Sequence, residues 1–145
     1  MGMTATKTSA YVEVIRQFFD IGDERAEGDI AALFTEDVQV YFPKYGIGHG
    51  REALMEVGKG RYELFPRMTH HMDQFRFTEQ GNTVVVEGTT EGETASGRSW
   101  DGRETIAGHF CSVFEFRDGR IARMHVYVDP DLGNEDADRY PWHKA

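Results

Sequence analysis

Residues Gly108 to Asp129 read G-H-F-C-S-V-F-E-F-R-D-G-R-I-A-R-M-H-V-Y-V-D, and the fold turns on how this stretch pairs with itself. Two apolar, β-rich runs meet at Arg117-Asp118-Gly119, which is a strong hairpin signal. A two-residue Asp118-Gly119 loop pairs Phe116 with Ile121 and sets Phe114 beside Arg123 and Ser112 beside His125 on one mixed face. A three-residue loop with Gly119 left-handed pairs Phe116 with Arg120 instead. Phe110, Ser112 and Phe114 then share a face with Val126, Met124 and Ala122, while Cys111, Val113 and Glu115 share the other with His125, Arg123 and Ile121. A one-residue slip flips every side chain, and only the second register gathers the apolar residues onto one wall, so it is the one expected. That wall is the candidate ligand pocket.

Working outward, 145 residues suit one domain, 1–145, with a sizeable core. Apolar residues at 39% with 12% aromatic exclude global disorder, and no apolar run approaches the roughly 18 residues needed to cross a membrane. A soluble protein is expected, without a membrane partner. Residues 1–10 hold a lone Lys7 and no apolar core, so they do not read as a secretory signal, and residues 1–8 are expected to be disordered. Cys111 is the single cysteine, which points to a reducing, cytoplasmic setting. A net charge of −9 argues against nucleic acid, whose backbone demands clustered Lys and Arg.

Ser9 caps a first helix whose Tyr11, Val14, Ile15, Phe18 and Phe19 form a broad apolar stripe. Its continuation from Asp20 to Glu27, including Asp23, Glu24 and Glu27, reads as a solvated acidic face. Gly28-Asp29 breaks the chain before a short second helix around Ile30 to Phe34. Thr35-Glu36-Asp37 is a turn, Val38 to Phe42 a strand ended by Pro43, and Lys44 to Gly50 a loop that could border a pocket. Arg51 to Phe65 is a third helix with Leu54, Val57, Arg61 and Phe65 near one stripe. Three strand-like runs follow: Thr69 to Thr78, Thr83 to about Gly92, and the opening hairpin, joined to the second by a flexible Glu93 to Gly102 link. The order α-α-β-α-β-β-β-β predicts an α+β fold with a strongly curved, mostly antiparallel sheet around three N-terminal helices. The tail, 130–145, is acidic and carries Tyr140-Pro141-Trp142, an expected aromatic anchor.

Five pieces in this order and spacing carry a resemblance: F-T-E-D-V-Q-V-Y-F-P at Phe34 to Pro43, H-G-R-E at His49 to Glu52, L-F-P at Leu64 to Pro66, V-V-V-E-G at Val84 to Gly88, and F-E-F-R-D-G-R-I at Phe114 to Ile121. The chain resembles the SnoaL-like, ketosteroid-isomerase-like branch of the nuclear-transport-factor-2-like superfamily. The resemblance implies a cone-shaped α+β barrel whose concave sheet face and three helices enclose an apolar pocket, usually in a homodimer. It does not carry over the reactions. Where ketosteroid isomerases place a general-base Asp this chain has Phe42, and at their oxyanion-hole Tyr and Asp it has Phe18 or Phe19, and Ser112. It is similar to phenazine-biosynthesis A/B-type proteins at His109-Phe110 and Pro130, but their acid falls on Val126 and their helical His and Ser fall on Val57 and Arg61.

Remaining chemistry must come from other segments. If Thr69 to Thr78 is one strand with Phe75 and Phe77 inward, period two puts His71 and Asp73 on the same face. His71 then suits a general base, Asp73 its orienter, and Arg61 a fork that grips a carboxylate or enolate. His-x-Asp also fits ordinary polar surface at a sheet rim, and an Arg can equally snorkel to water. His49, His70 and His109 are further candidates to reach the pocket. The expected ligand-binding set is Phe19, Phe42, Tyr45, Val57, Phe75, Trp100, Phe110, Ser112, Phe114, Met124 and Val126. Cys111, His109 and His125 lack the close spacing of metal ligands, so no metal or other cofactor is expected. Their face, with Val113 and Tyr127, is the expected homodimer surface. Two functions stay open: a cofactor-free cyclase, isomerase or dehydratase acting on a small cyclic or polyketide-like molecule, and a non-catalytic binder of such a molecule.

Overall fold

The computed structural model describes residues 9–129, 131 and 134–139. The expectations for residues 1–8 and for the Tyr140-Pro141-Trp142 anchor lie outside them. Helix α1 spans Ala10–Gly22, and Ser9 caps it by accepting from the Val12 N–H at 3.1 Å. Its stripe buries Val12, Ile15 and Phe19, with Tyr11, Val14 and Phe18 packed alongside. The second helix is a single 3-10 turn, Ile30–Leu33, capped by Asp29. Strand β1 (Phe34–Phe42) begins earlier than expected, absorbing Thr35-Glu36-Asp37 through an irregularity between Phe34 and Gln39. The glycine-rich loop contributes β2 (Gly46–His49), antiparallel to β1, and leads into α2 (Gly50–Leu64). Two α-helices and one 3-10 turn therefore replace the three helices expected.

The Thr69 to Thr78 run is not one strand. It divides into β3 (Arg67–His70), a 3-10 turn at Met72–Gln74 and β4 (Arg76–Gln80), both strands pairing antiparallel with β5 (Thr83–Glu93). The break is packed rather than loose, because Phe75 lies against Gly88 of β5, where any Cβ would collide with the Phe75 and Phe110 rings. The expected flexible link holds a short strand, β6 (Ser99–Asp101), also paired with β5.

The hairpin is β7 (His109–Arg117) and β8 (Arg120–Val128). Its loop is the two-residue one, not the expected three-residue one: Asp118 and Gly119 take φ +52° and +78°, and Phe116 pairs with Ile121. An extra residue in β8, Ala122, then shifts the ladder, so Glu115 pairs with Arg123, Phe114 with Met124 and Ser112 with Val126. The bulge restores the parity that one apolar wall requires. Phe110, Ser112, Phe114, Met124 and Val126 share a face as expected, whereas the predicted partners do not hold, and Ile121 is wholly buried beside Phe116 instead of joining the outer face.

The sheet runs β2-β1-β8-β7-β5-β3, with β1 and β8 parallel and the other pairs antiparallel. It is a curved α+β sheet that does not close into a barrel, since the path ends at β2 and β3 without their pairing. The core gathers Ile15, Phe34, Val38, Val40, Val84, Val86, Phe114 and Ile121 between α1 and the concave face. Each such buried side chain contributes about 1.5–3 kcal/mol relative to exposure. No helix among the described residues is long and apolar enough to cross a membrane.

Candidate functional site

Between the concave face, α1 and α2 lies a cavity of about 460 Å³. Phe18 and Phe19 of α1, Phe42 of β1, Leu54 and Val57 of α2, and Phe110, Ser112, Met124, Val126 and Val128 of the hairpin line it. Asp23, Arg61 and His70 stand at its polar end.

Asp23 follows α1 directly and its carboxylate is buried, with 2% of the side chain exposed. It accepts the His70 backbone N–H at 2.7 Å and lies 2.9 and 3.0 Å from His70 Nδ1. Arg25 Nη2 is 3.1 Å from the same carboxylate and Arg25 Nη1 donates to the His70 carbonyl at 3.2 Å. Arg61 Nη2 stands 3.8 Å from Asp23 and donates to the Met68 carbonyl at 3.1 Å, while its guanidinium stacks on Tyr62. Two arginines thus brace a buried carboxylate against β3, which supplies the pairing a buried charge demands.

The consequence for His70 is a defined ring. A carboxylate can only accept, so the bond to Asp23 is donated by Nδ1–H, and the lone pair of the uncharged ring form is then on Nε2. Nε2 has no hydrogen-bond partner among the described residues, and the ring forms part of the cavity wall. Phe19, Phe110 and Phe75 enclose it, with ring centroids at 4.6, 5.1 and 6.3 Å. This is an oriented base beside apolar space, the arrangement that proton abstraction from a carbon acid needs.

His71 sits elsewhere. The turn at Met72–Gln74 leaves Asp73 exposed, so the expected His71-Asp73 pair does not form: its premise, an unbroken strand, fails. His71 is 8% exposed and saturated, with Nδ1 2.7 Å from Thr89 Oγ1 and Nε2 3.1 Å from Glu91. Asp101 lies 3.7 Å from Nε2, and Arg103 bridges Glu91 and Asp101 at 2.8 and 2.7 Å. Hydrogen bonding from Arg103 holds the Asp101 carboxyl far below the usual carboxylate range. His71, Glu91 and Asp101 offer ligand atoms within 4.8 Å of one another, a spacing that could hold a metal ion, but the Arg103 guanidinium already fills the cation's place.

Of the residues expected at the site, Arg61, Phe19, Phe42, Val57, Phe110, Ser112, Met124 and Val126 line the cavity. Phe75 and Phe114 lie behind it, Phe114 wholly buried. Tyr45 is 47% exposed and rests its hydroxyl end against Gly60 of α2, outside the cavity lining. Trp100 is no mobile cover: it is buried against Phe65 and donates from Nε1 to Thr90 Oγ1 at 3.0 Å. On the outer face Cys111 is half-buried opposite Tyr127, and burial pushes its thiol pKa up. His125, 6% exposed, contacts Gln39 Oε1 at 2.8 Å, and burial followed by the Arg123 charge lowers its pKa.

Asp23 is the residue that sequence reasoning missed, having assigned it to a solvated acidic face. The available signal was an acid at the C-terminal cap of a helix, where the dipole disfavours negative charge and a compensating partner is required.

A family model described as a SnoaL-like domain matches residues 15–124. Among solved structures, a putative SnoaL-like polyketide cyclase from Jannaschia sp. CCS1 is 21% identical, covering 97% of this chain and 99% of that one, with a TM-score of 0.72. An NTF2-like protein of unknown function from Burkholderia pseudomallei K96243 is 20% identical over 84% and 92% of the two chains, TM-score 0.69. TerC, co-crystallised with polyporic acid, is 25% identical over 83% of this chain and 92% of its own, TM-score 0.68. No curated protein matches the chain.

Proposed function

The chain belongs to the SnoaL-like domain family, and on that premise we propose that it is a cofactor-free cyclase, isomerase or dehydratase acting by proton transfer on a small, largely apolar cyclic molecule. The observation that carries this is the Asp23–His70 pair on the wall of an apolar cavity. His70 Nε2 takes a proton from a carbon activated by a neighbouring carbonyl. Asp23, braced by Arg25 and Arg61, holds the tautomer and stabilises the imidazolium that forms. Returning the proton elsewhere yields isomerisation or ring closure, and expelling a hydroxyl yields dehydration. These roles fall to His70 and Asp23 rather than to His71 and Asp73. Tyr62, whose pKa is raised by burial and then by its bond to Glu24, stays a neutral phenol at the cavity rim. The co-crystallisation of TerC with polyporic acid supports a small organic ligand.

A binder without catalysis is the second reading, favoured by the preponderance of apolar side chains in the lining. Mass spectrometry of compounds that co-purify with the native protein separates the two. Conversion of a recovered cyclic compound on incubation, abolished in His70→Ala, supports the enzyme; an unaltered compound overturns it.

A cytoplasmic homodimer through the outer sheet face completes the reading. Cys111, Val113, His125 and Tyr127 lie on that face, where Tyr127 is 47% exposed and packs at a tilt against Tyr41, ring centroids 5.5 Å apart. Light scattering should give a dimer for the native chain and a monomer for Tyr127→Lys; a native monomer sinks this assignment.

A further inference from the structure

Helix α2 carries two interior glycines, Gly58 and Gly60, that differ in what they leave room for. At Gly60 an added Cβ would collide with the Tyr45 hydroxyl, so the packing requires a glycine there. At Gly58 an added Cβ would have no heavy atom within 4 Å beyond its chain neighbours and the helix's own backbone, and the residue is not among those with positive φ. Neither packing nor backbone conformation demands glycine at this position. Its presence is nonetheless unfavourable, because glycine weakens a helix interior relative to alanine. A residue that loosens its own helix without relieving a clash points to a use for the space it leaves.

That space adjoins the cavity. Gly58 is part of the lining, and so are the four residues that flank it on the helix surface, Leu54, Met55, Arg61 and Tyr62. Leu54 is buried and Arg61 reaches inward to Asp23, whereas Met55 and Tyr62 are 57% and 45% exposed. Gly58 therefore stands where the cavity meets solvent. Among the described lining residues the exposed ones are Met55, Lys59, Tyr62 and His109, and the first three surround Gly58 on α2. Tyr62 is tied across to the end of α1, its hydroxyl 3.1 Å from Glu24 and 3.4 Å from the Gly22 carbonyl, so it is a fixed edge of this opening.

We propose that Gly58 is the entrance to the cavity: the ligand enters and leaves across the bare helix backbone between Met55 and Tyr62, and a side chain at this position closes the way. The assignment rests on the cavity being the ligand site. The entrance lies within one helical turn of Arg61, about 5 Å along the axis, and so opens beside the polar end that holds Asp23 and His70. An obstruction at an entrance raises the barrier to passage without changing what the bound molecule touches. Association and dissociation then slow together. A side chain that only took up cavity volume would instead speed dissociation and weaken binding.

The test uses N-phenyl-1-naphthylamine, an uncharged dye that fluoresces in apolar surroundings, in stopped-flow mixing with the native protein and its variants. Gly58→Leu should lower the association and dissociation rates about tenfold each, with Kd changed by less than about threefold. Gly58→Ala should raise the urea midpoint, because α2 gains a better helix former at a position with room for it. His109→Leu, at the remaining exposed lining residue, should leave both rates within about twofold of native. Unchanged rates in Gly58→Leu, faster dissociation with weakened binding, a lowered urea midpoint in Gly58→Ala, or a slowing confined to His109→Leu overturns the entrance and leaves the cavity reading intact. Val126→Trp, which fills the cavity from the sheet side, should abolish binding of the dye. Failure of the native protein to bind the dye, or native-like binding by Val126→Trp, overturns the cavity reading and this inference with it.

Discussion

His70 and His71 are consecutive in the chain and belong to different chemistry. His70 ends β3, gives Nδ1 to Asp23 and keeps Nε2 free beside an apolar cavity. His71 begins the turn that follows, and both of its nitrogens are taken, by Thr89 and by Glu91 within the Arg103 network. Proximity to carboxylates does not separate the two, since His71 has more of them nearby. An imidazole acts as a base only where one nitrogen is oriented and the other is unspent next to space for a substrate. His70 meets that condition. His71 reads as a staple holding β5 and β6 to the turn.

The largest test of the contrast is catalytic. With a substrate in hand, His70→Ala should lower turnover by roughly 10²- to 10⁴-fold, the usual worth of a positioned base, while His71→Ala stays within about tenfold of the native rate. The reverse order would break the comparison. Stability should sort the two acids in the same sense. Asp23→Ala leaves the His70 donors and the Arg25 and Arg61 guanidiniums without their acceptor and should cost about 3 kcal/mol in urea denaturation, softened by the partial exposure of Arg25. Asp101→Ala, at a carboxylate whose closest partner Arg103 is nearly half exposed, should cost about 1 kcal/mol or less. Equal costs would mean that the cavity pair is no more enclosed than the outer one.

The smallest effect is in acid. Arg103 depresses the Asp101 pKa in the folded chain, so the unfolded chain binds the proton first. The stabilisation is present in full above the unfolded value near about 3.9 and is lost as pH falls through that value toward the depressed one. Arg103→Gln should flatten this part of the stability profile, measured as the difference in urea midpoint between about pH 5 and pH 3, relative to the native chain. An unchanged difference would detach Asp101 from Arg103.

The fold was legible where local chemistry repeats. The Tyr11 to Phe19 stripe, the Ser9 cap and the alternation of Phe110, Ser112 and Phe114 each show their face at the spacing of a helix turn or a pleat. Eight of the fourteen residues singled out for the site line the cavity for that reason: the seven ligand-wall residues lie on stripes whose direction is periodic, and Arg61 lies on the helical one. The hairpin is more instructive. Asp118-Gly119 asked for a two-residue turn and the apolar wall asked for another register, and Ala122 satisfies both by bulging out of the ladder. A sequence argument that allows one uninterrupted ladder cannot find that solution, although it finds the correct face. The catalytic candidates went astray at a similar discontinuity, because the Met72–Gln74 turn removes the period-two premise that joined His71 to Asp73.

By itself the sequence determined the α+β class, the apolar wall and its single hydroxyl at Ser112, since periodicity and turn preference act between residues a few positions apart. Tertiary structure alone decided that Asp23 is buried and that its partner is His70, 47 positions away. Charge pairing depends on which segments the fold brings together, and a lone acid at a helix end looks the same in sequence whether it meets water or an imidazole.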